Sequence, residues 1–360
     1  MTARVTRRGF VLGSAAGLGA LSLAGPRAFS AEPTKIGFIY VGPVGDFGWT
    51  HGHDVGRKAI EAEFGDKVKT SFVENVSEGP DAERVIRQLA SGGTDLIFTT
   101  SFGYMEPTIR VAKLFPKVKF EHATGYKTAA NVSIYNARFH QGRAVCGTIA
   151  GHMSKSGVIG YIGSFPIPEV VMGINATALW ARKIRPDTKV KVIWVNSWYD
   201  PGKESDATKA LIDQGADIIC QHTDSPAPIQ TAESRGVLGF GQASDMKAYA
   251  PNAQLTAILD LWAGYYVQRT ADVMDGSWKS HSIWWGLKEG MVAMAPYGPA
   301  VSDAVRKAAD TVQAGLTDGS LHTFTGPIKN QAGEVKVAAG ESMSDGDMAG
   351  MDWYVEGVEA

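Results

Sequence analysis

Apolar and polar positions follow two rhythms along this chain, and the rhythms take turns. Short continuous apolar runs, such as Lys35–Val41, end in Gly or Pro and read as buried parallel strands. Longer stretches, such as Thr50–Phe64, repeat their apolar positions at helical spacing. The pattern predicts further strands over Val68–Val76, Asp95–Thr100, Val118–Thr124 and Asn131–Ala137. It predicts helices over Asp81–Ala90, with Asp81 as N-cap, and Pro107–Leu114, then a long helix from about His140 to Lys155. The alternation then restarts. Strands are expected at Val158–Gly163, Val190–Ser197, Asp217–Gln221 and Val237–Phe240, and helices at Val170–Arg185, Glu204–Gln214 and Ile229–Ser234. Leu255–Leu259, a helix from about Ala263 to Met274 and the Ile283–Ala295 region close the core. Strand and helix in alternation imply parallel sheets with helices on both faces. The restart implies two similar α/β lobes. Beyond Lys329 the chain is rich in Gly, Asp and Met and lacks periodicity, so it reads as a strap or a partly ordered tail.

The first thirty residues break the rhythm. Arg7 and Arg8 precede Phe10-Val11-Leu12, an apolar Gly-rich run follows, and Ala28-Phe29-Ser30 offers a small-residue exit. This is the layout of a secretory leader of the twin-arginine type, cleaved after Ser30 or one residue later. The run is too short to span a bilayer as a mature helix, and no Cys lies near the cleavage point to carry a lipid. Residues 1–30 are therefore expected to direct a soluble, non-anchored protein to the periplasm.

Composition changes this picture little. The whole chain carries a formal net charge of −2, and the leader holds four Arg and no acid, so the mature chain is mildly acidic. Without basic clusters, nucleic acid is not expected as a partner. Cys146 and Cys220, the two cysteines, sit in apolar contexts and read as separate core thiols, with a disulfide between them the alternative in an oxidising compartment.

In open α/β sheets a ligand lies beyond the carboxyl ends of the strands, so the strand exits are where chemistry is sought. They carry Asp46, Phe47 and Trp49; Phe102, Tyr104 and Glu106; Glu169; Trp198; and Asp245. Trp49, Phe102, Tyr104 and Trp198 lie in turns containing Gly or Pro, where core aromatics are less common. Flat rings facing across a cleft suit a flat ligand. Asp46, Glu106 and Asp245 would accept hydrogen bonds from its N–H or O–H groups. Other chemistries find less support. Gly42, Gly45 and Gly48 are spaced wrongly for a dinucleotide fingerprint, and Asp46 would repel a pyrophosphate. His51 and His53 point to different faces of a helix and have no third metal ligand. The mature chain lacks a nucleophile elbow, a phosphate-binding loop and a Cys-x-x-Cys pair. Neither metal nor cofactor is expected, and no carboxylate pair stands out as acid and base.

Several segments together resemble one family. Asp46-Phe47-Gly48-Trp49-Thr50 is similar to its opening Asp-x-x-Phe-Asn, with the Asn changed. Gly142–Gly163, Val195–Pro201, Leu211–His222 and Gly241–Asp245 resemble its later motifs. The chain resembles the BMP (basic membrane protein) family of substrate-binding proteins for ABC transporters, specifically its purine-nucleoside-binding group.

The resemblance implies a two-lobed periplasmic binding protein of type I, each lobe a parallel sheet flanked by helices, joined by a hinge. Lobe 1 would comprise 33–138 plus about 253–282, lobe 2 139–252 plus about 283–328, and the strap or tail 329–360. It implies that Trp49 and Trp198 sandwich a base, that Asp46 and Glu106 lie near it, and that Asp245 and Lys288 hold ribose. Trp in place of Phe at both stacking positions favours a free purine, adenine, over a nucleoside. The partners implied are this ligand and a membrane permease, with the protein a monomer. A secreted purine-salvage enzyme such as a nucleoside hydrolase is the alternative. A sugar-repressor-like regulator shares the expected fold, but it would need a DNA-binding helix-turn-helix and no export leader.

Overall fold

A computed structural model describes residues 32–360; the leader expected over 1–30 lies outside them. Two sheets carry the molecule. The first half forms β1 (Thr34–Ile39), α1 (Gly48–Phe64), β2 (Val68–Val73), α2 (Pro80–Ser91), β3 (Leu96–Thr99), α3 (Met105–Leu114), β4 (Lys119–Ala123) and β5 (Val132–Ala137). Then come α4 (Phe139–Met153), β6 (Val158–Gly163), α5 (Pro168–Ile184), β7 (Lys189–Trp194), α6 (Pro201–Asp213), β8 (Ile218–His222), α7 (Ala227–Ser234), β9 (Leu238–Gly241) and β10 (Gln254–Asp260). The remainder adds α8 (Ala263–Asp275), β11 (Ser282–Trp285), β12 (Val292–Met294) and α9 (Asp303–Asp318). It ends with β13 (Ile328–Lys329), β14 (Val335–Val337), α10 (Asp345–Ala349) and β15 (Val358–Glu359).

The first sheet runs β11-β5-β4-β3-β1-β2, all parallel. The second runs β12-β10-β9-β8-β6-β7-β15, parallel except where β12 meets β10. The chain passes between lobes three times: from β5 to α4, from β10 to α8, and from β11 to β12. These crossings are bonded to one another. Arg138 N donates to Trp285 O at 2.7 Å, and Leu261 N to Met291 O at 2.9 Å.

This topology corrects the expected lobe boundaries. β10 belongs to the second sheet, so 253–260 leaves lobe 1, and β11 carries 282–285 back to lobe 1. A buried strand of either lobe has the same apolar pattern, so periodicity cannot say which sheet it joins. Two smaller corrections concern helix starts. α2 begins at Pro80 with Gly79 as cap, so Asp81 sits in the first turn and not at the N-cap. Pro favours the first helical position because its missing N–H would be unpaired there anyway. α1 begins at Gly48, two residues before the apolar periodicity.

α4 is the central pillar, buried along almost its whole length. Gly147 and Gly151 let α5 approach closely: a Cβ at either would stand 2.5–2.6 Å from a backbone oxygen of Thr177 or Ala181. Cys146 and Cys220 are buried free thiols. The residues from 329 onward form an ordered strap. Asn175 Oδ1 accepts from Val355 N at 3.0 Å, and β15 extends the second sheet beside β7. Among the described residues no helix is long and apolar enough to cross a membrane.

Candidate ligand-binding site

The carboxyl ends of both sheets face one interlobe cleft, and its geometry begins at α1. The first helical N–H groups lack partners within their own turn, and Phe47 at the N-cap supplies no side-chain bond. The opposite lobe supplies them. Gly48 N donates to Ser244 Oγ at 2.7 Å, and Trp49 N donates to Asp224 Oδ1 at 3.3 Å. Gly48 has φ +79°, and a Cβ there would stand 2.6 Å from Asp224 O, so only glycine allows this approach. Phe47 reaches across and meets Tyr249 edge-on at 5.0 Å. The cleft is closed.

Behind this clasp lies a cavity with an empty volume of about 370 Å³. Trp49 and Phe102 line it from lobe 1, and Trp198 from lobe 2. Trp49 is fixed: its Nε1 donates to Thr100 O at 2.6 Å, and its ring meets Trp262 at 5.3 Å and 76°. Trp198 leans on Phe165 at 5.2 Å, and its buried Nε1 makes no hydrogen bond within the protein.

Apart from Val41, the rest of the wall is polar and includes Glu169, His222, Asp224 and Gln242. Glu169 sits in the first turn of α5, where the helix dipole favours a negative charge. Burial outweighs this and pushes its carboxyl up to about 8, so it is protonated at neutral pH. His222 Nε2 lies 3.3 Å from Glu169 Oε1, and burial holds the imidazole neutral. Burial, followed by the nearby Glu204 charge, raises the Asp224 carboxyl well above its ordinary range. Behind the wall, Arg143 donates through Nη2 to Gln221 O at 2.6 Å and to Gln242 Oε1. Its Nε and Nη1, His222 Nδ1 and both Asp260 carboxyl oxygens are buried without a partner in the protein. The site thus joins flat apolar faces to carboxyl, imidazole and amide groups. It can stack a planar ring and exchange hydrogen bonds along its edge.

The structure brings four of the expected site residues to this cavity: Trp49, Phe102, Glu169 and Trp198. Phe47 stands at the cleft mouth with Asp46 exposed beside it. The other four lie elsewhere. Tyr104 is fully buried in lobe 1, its hydroxyl donating to Val76 O at 2.6 Å. Glu106 is exposed on α3 and pairs with Lys127. Asp245 is exposed and accepts from Gln254 Nε2 at 2.6 Å and Lys247 N at 3.0 Å. Lys288 is exposed in the turn at the third crossing. Sequence reasoning missed His222, Asp224 and Gln242 as lining residues, although each follows or ends a strand at the cleft. Arg143 and Asp260 carried no signal, since both lie within apolar segments.

Two α/β lobes closing over a small cavity at their strand ends define a two-lobed ligand-binding fold. A solved ABC-transporter solute-binding protein from Aeropyrum pernix superposes with a TM-score of 0.70 at 18% identity, covering 83% of this chain and 93% of that one. The family model described as "ABC transporter substrate-binding protein PnrA-like" (Bmp) matches residues 33–318, and the chain belongs to that family. It is 58% identical to a purine-binding protein of Brucella abortus over 98% of this chain and 97% of the relative. It is 35% identical, over 91% and 81%, to a Haloferax volcanii protein whose name proposes glucose binding for an ABC transporter.

Proposed function

We propose that this protein captures a purine for an ABC importer and presents it, in the closed form, to a membrane permease outside the inner membrane. The observation that carries the reading is that Trp49 and Trp198, from opposite lobes, line one cavity. A base between them would contact both lobes at once, and contacts with both lobes are what stabilise a closed state. The purine-binding name of the Brucella abortus relative supports the same ligand class.

Adenine is favoured over a nucleoside. Asp245 and Lys288, the residues expected to hold ribose, are exposed and do not line the cavity. Burial raises the carboxyls of the two acids that do line it, Glu169 to about 8 and Asp224 well above its ordinary range. A neutral carboxyl can donate to a ring nitrogen and accept from an adjacent amine, as the edge of adenine requires. No reaction follows capture. Calorimetric titration of ligand-stripped protein with adenine, adenosine and glucose tests the reading. Adenine should bind tightest. Adenosine tighter by about tenfold would make this a nucleoside carrier, and tightest binding of glucose would overturn the purine assignment. Release of free base from adenosine would revive the salvage-enzyme alternative.

A further inference from the structure

A second chamber borders the cavity lined by the two indoles. Phe102, Thr124 and Glu169 line both, and the second has an empty volume of about 600 Å³. It lies between the exits of β4 and β5 and the start of α5, with Ala349 of the strap at its rim. Its walls are mostly carbon, supplied by Ala137, Phe139, Pro168, Met172 and Trp284. Among the described residues, none lining it is Lys, Arg or Asp.

Thr124, Tyr126, Asn136, His140 and Glu169 carry polar groups in its lining. Asn136 Oδ1 and His140 Nε2 are buried and make no hydrogen bond within the protein. His140 is 3% exposed and is anchored through Nδ1 to Thr323 Oγ1 at 2.9 Å. Burial holds this imidazole neutral, its pKa lowered to about 3. A sugar fits such a chamber poorly, because each buried hydroxyl needs a partner and most of the wall has none to give. A phosphate fits worse, since no cation lines the space. An apolar group fits.

We propose that the site takes a purine carrying an apolar substituent, and that this chamber receives the substituent while the base lies between Trp49 and Trp198. The inference rests on the purine reading above. Removing an apolar arm from water into a preformed chamber adds affinity that the bare base lacks.

The test uses the ligand-stripped protein with adenine, N6-benzyladenine and 9-benzyladenine, two isomers that aim the arm in different directions. At least one isomer should bind as tightly as adenine or tighter. Met172→Trp fills the chamber from its floor, and Ala349→Trp blocks it from the exposed strap without touching the core. Either variant should weaken the accepted isomer by about tenfold or more while leaving adenine within about twofold. If adenine binds and both isomers bind at least tenfold more weakly, the inference falls alone. Equal losses for arm-bearing and bare ligands in Ala349→Trp also overturn it. Failure of adenine itself to bind the wild-type protein removes the purine reading, and this inference with it.

Discussion

Ser244→Ala is a clean perturbation of the closed cleft. The hydroxyl it removes accepts from Gly48 N at 2.7 Å and so caps a lobe 1 helix from lobe 2. Phe47 offers no side-chain substitute. In an open form this N–H would face water, so the lost bond weighs on the closed state alone. A helix cap of this kind contributes about 1 kcal/mol, which converts to about a fivefold change in affinity. Asp224 keeps its bond to Trp49 N, so the loss should not be greater. Calorimetry should therefore show adenine binding about fivefold more weakly, with little change in urea unfolding of the ligand-free protein. Gly48→Ala should cost more than tenfold, because its Cβ would stand 2.6 Å from Asp224 O. Unchanged affinity in Ser244→Ala would refute cross-lobe capping as a source of closure. An equal loss in ligand-free stability would assign the bond to static packing.

Three further outcomes are expected. Trp198→Ala should weaken adenine binding by roughly 1–3 kcal/mol in the same titration, with the fold intact by circular dichroism; unchanged affinity would make Trp198 mere packing for Phe165. Glu169, held protonated with its carboxyl at about 8 and above the ordinary value, supports the closed site fully below that ordinary value and loses this support as pH rises through about 8. Glu169→Gln should keep neutral-pH affinity and flatten the decline at higher pH; a profile identical to wild type would assign the decline to Asp224 and Asp260, whose carboxyls shift in the same direction. Asp245→Ala should leave adenine and adenosine affinities within about twofold, and a selective loss of adenosine would return Asp245 to a ribose-binding role.

Much of the fold was legible because buried strands and amphipathic helices carry different periods, and the restart after Ala137 separates two α/β sets. The path between lobes was not legible. β10 looks like any buried strand, and only its pairing with β9 and β12 places it in lobe 2. At the cleft, the strand-exit rule pointed to Trp49, Phe102, Glu169 and Trp198, all of which line the cavity. It could not separate Phe102 from Tyr104. The two stand two residues apart on a tight turn, so one ring faces the cleft while the other enters the core. Glu106 begins the exposed face of α3. Arg143 was hidden for a related reason: a lone cation amid Ala and Val gives no sign that burial aims it at Gln221 and Gln242.

The most direct measurement of the central claim is a diffraction structure of the protein with adenine. The base is expected between the Trp49 and Trp198 rings, with its edge meeting Glu169, Asp224 or Gln242. Adenine bound outside that gap, or touching the aromatic rings of one lobe alone, would contradict capture between two closing lobes.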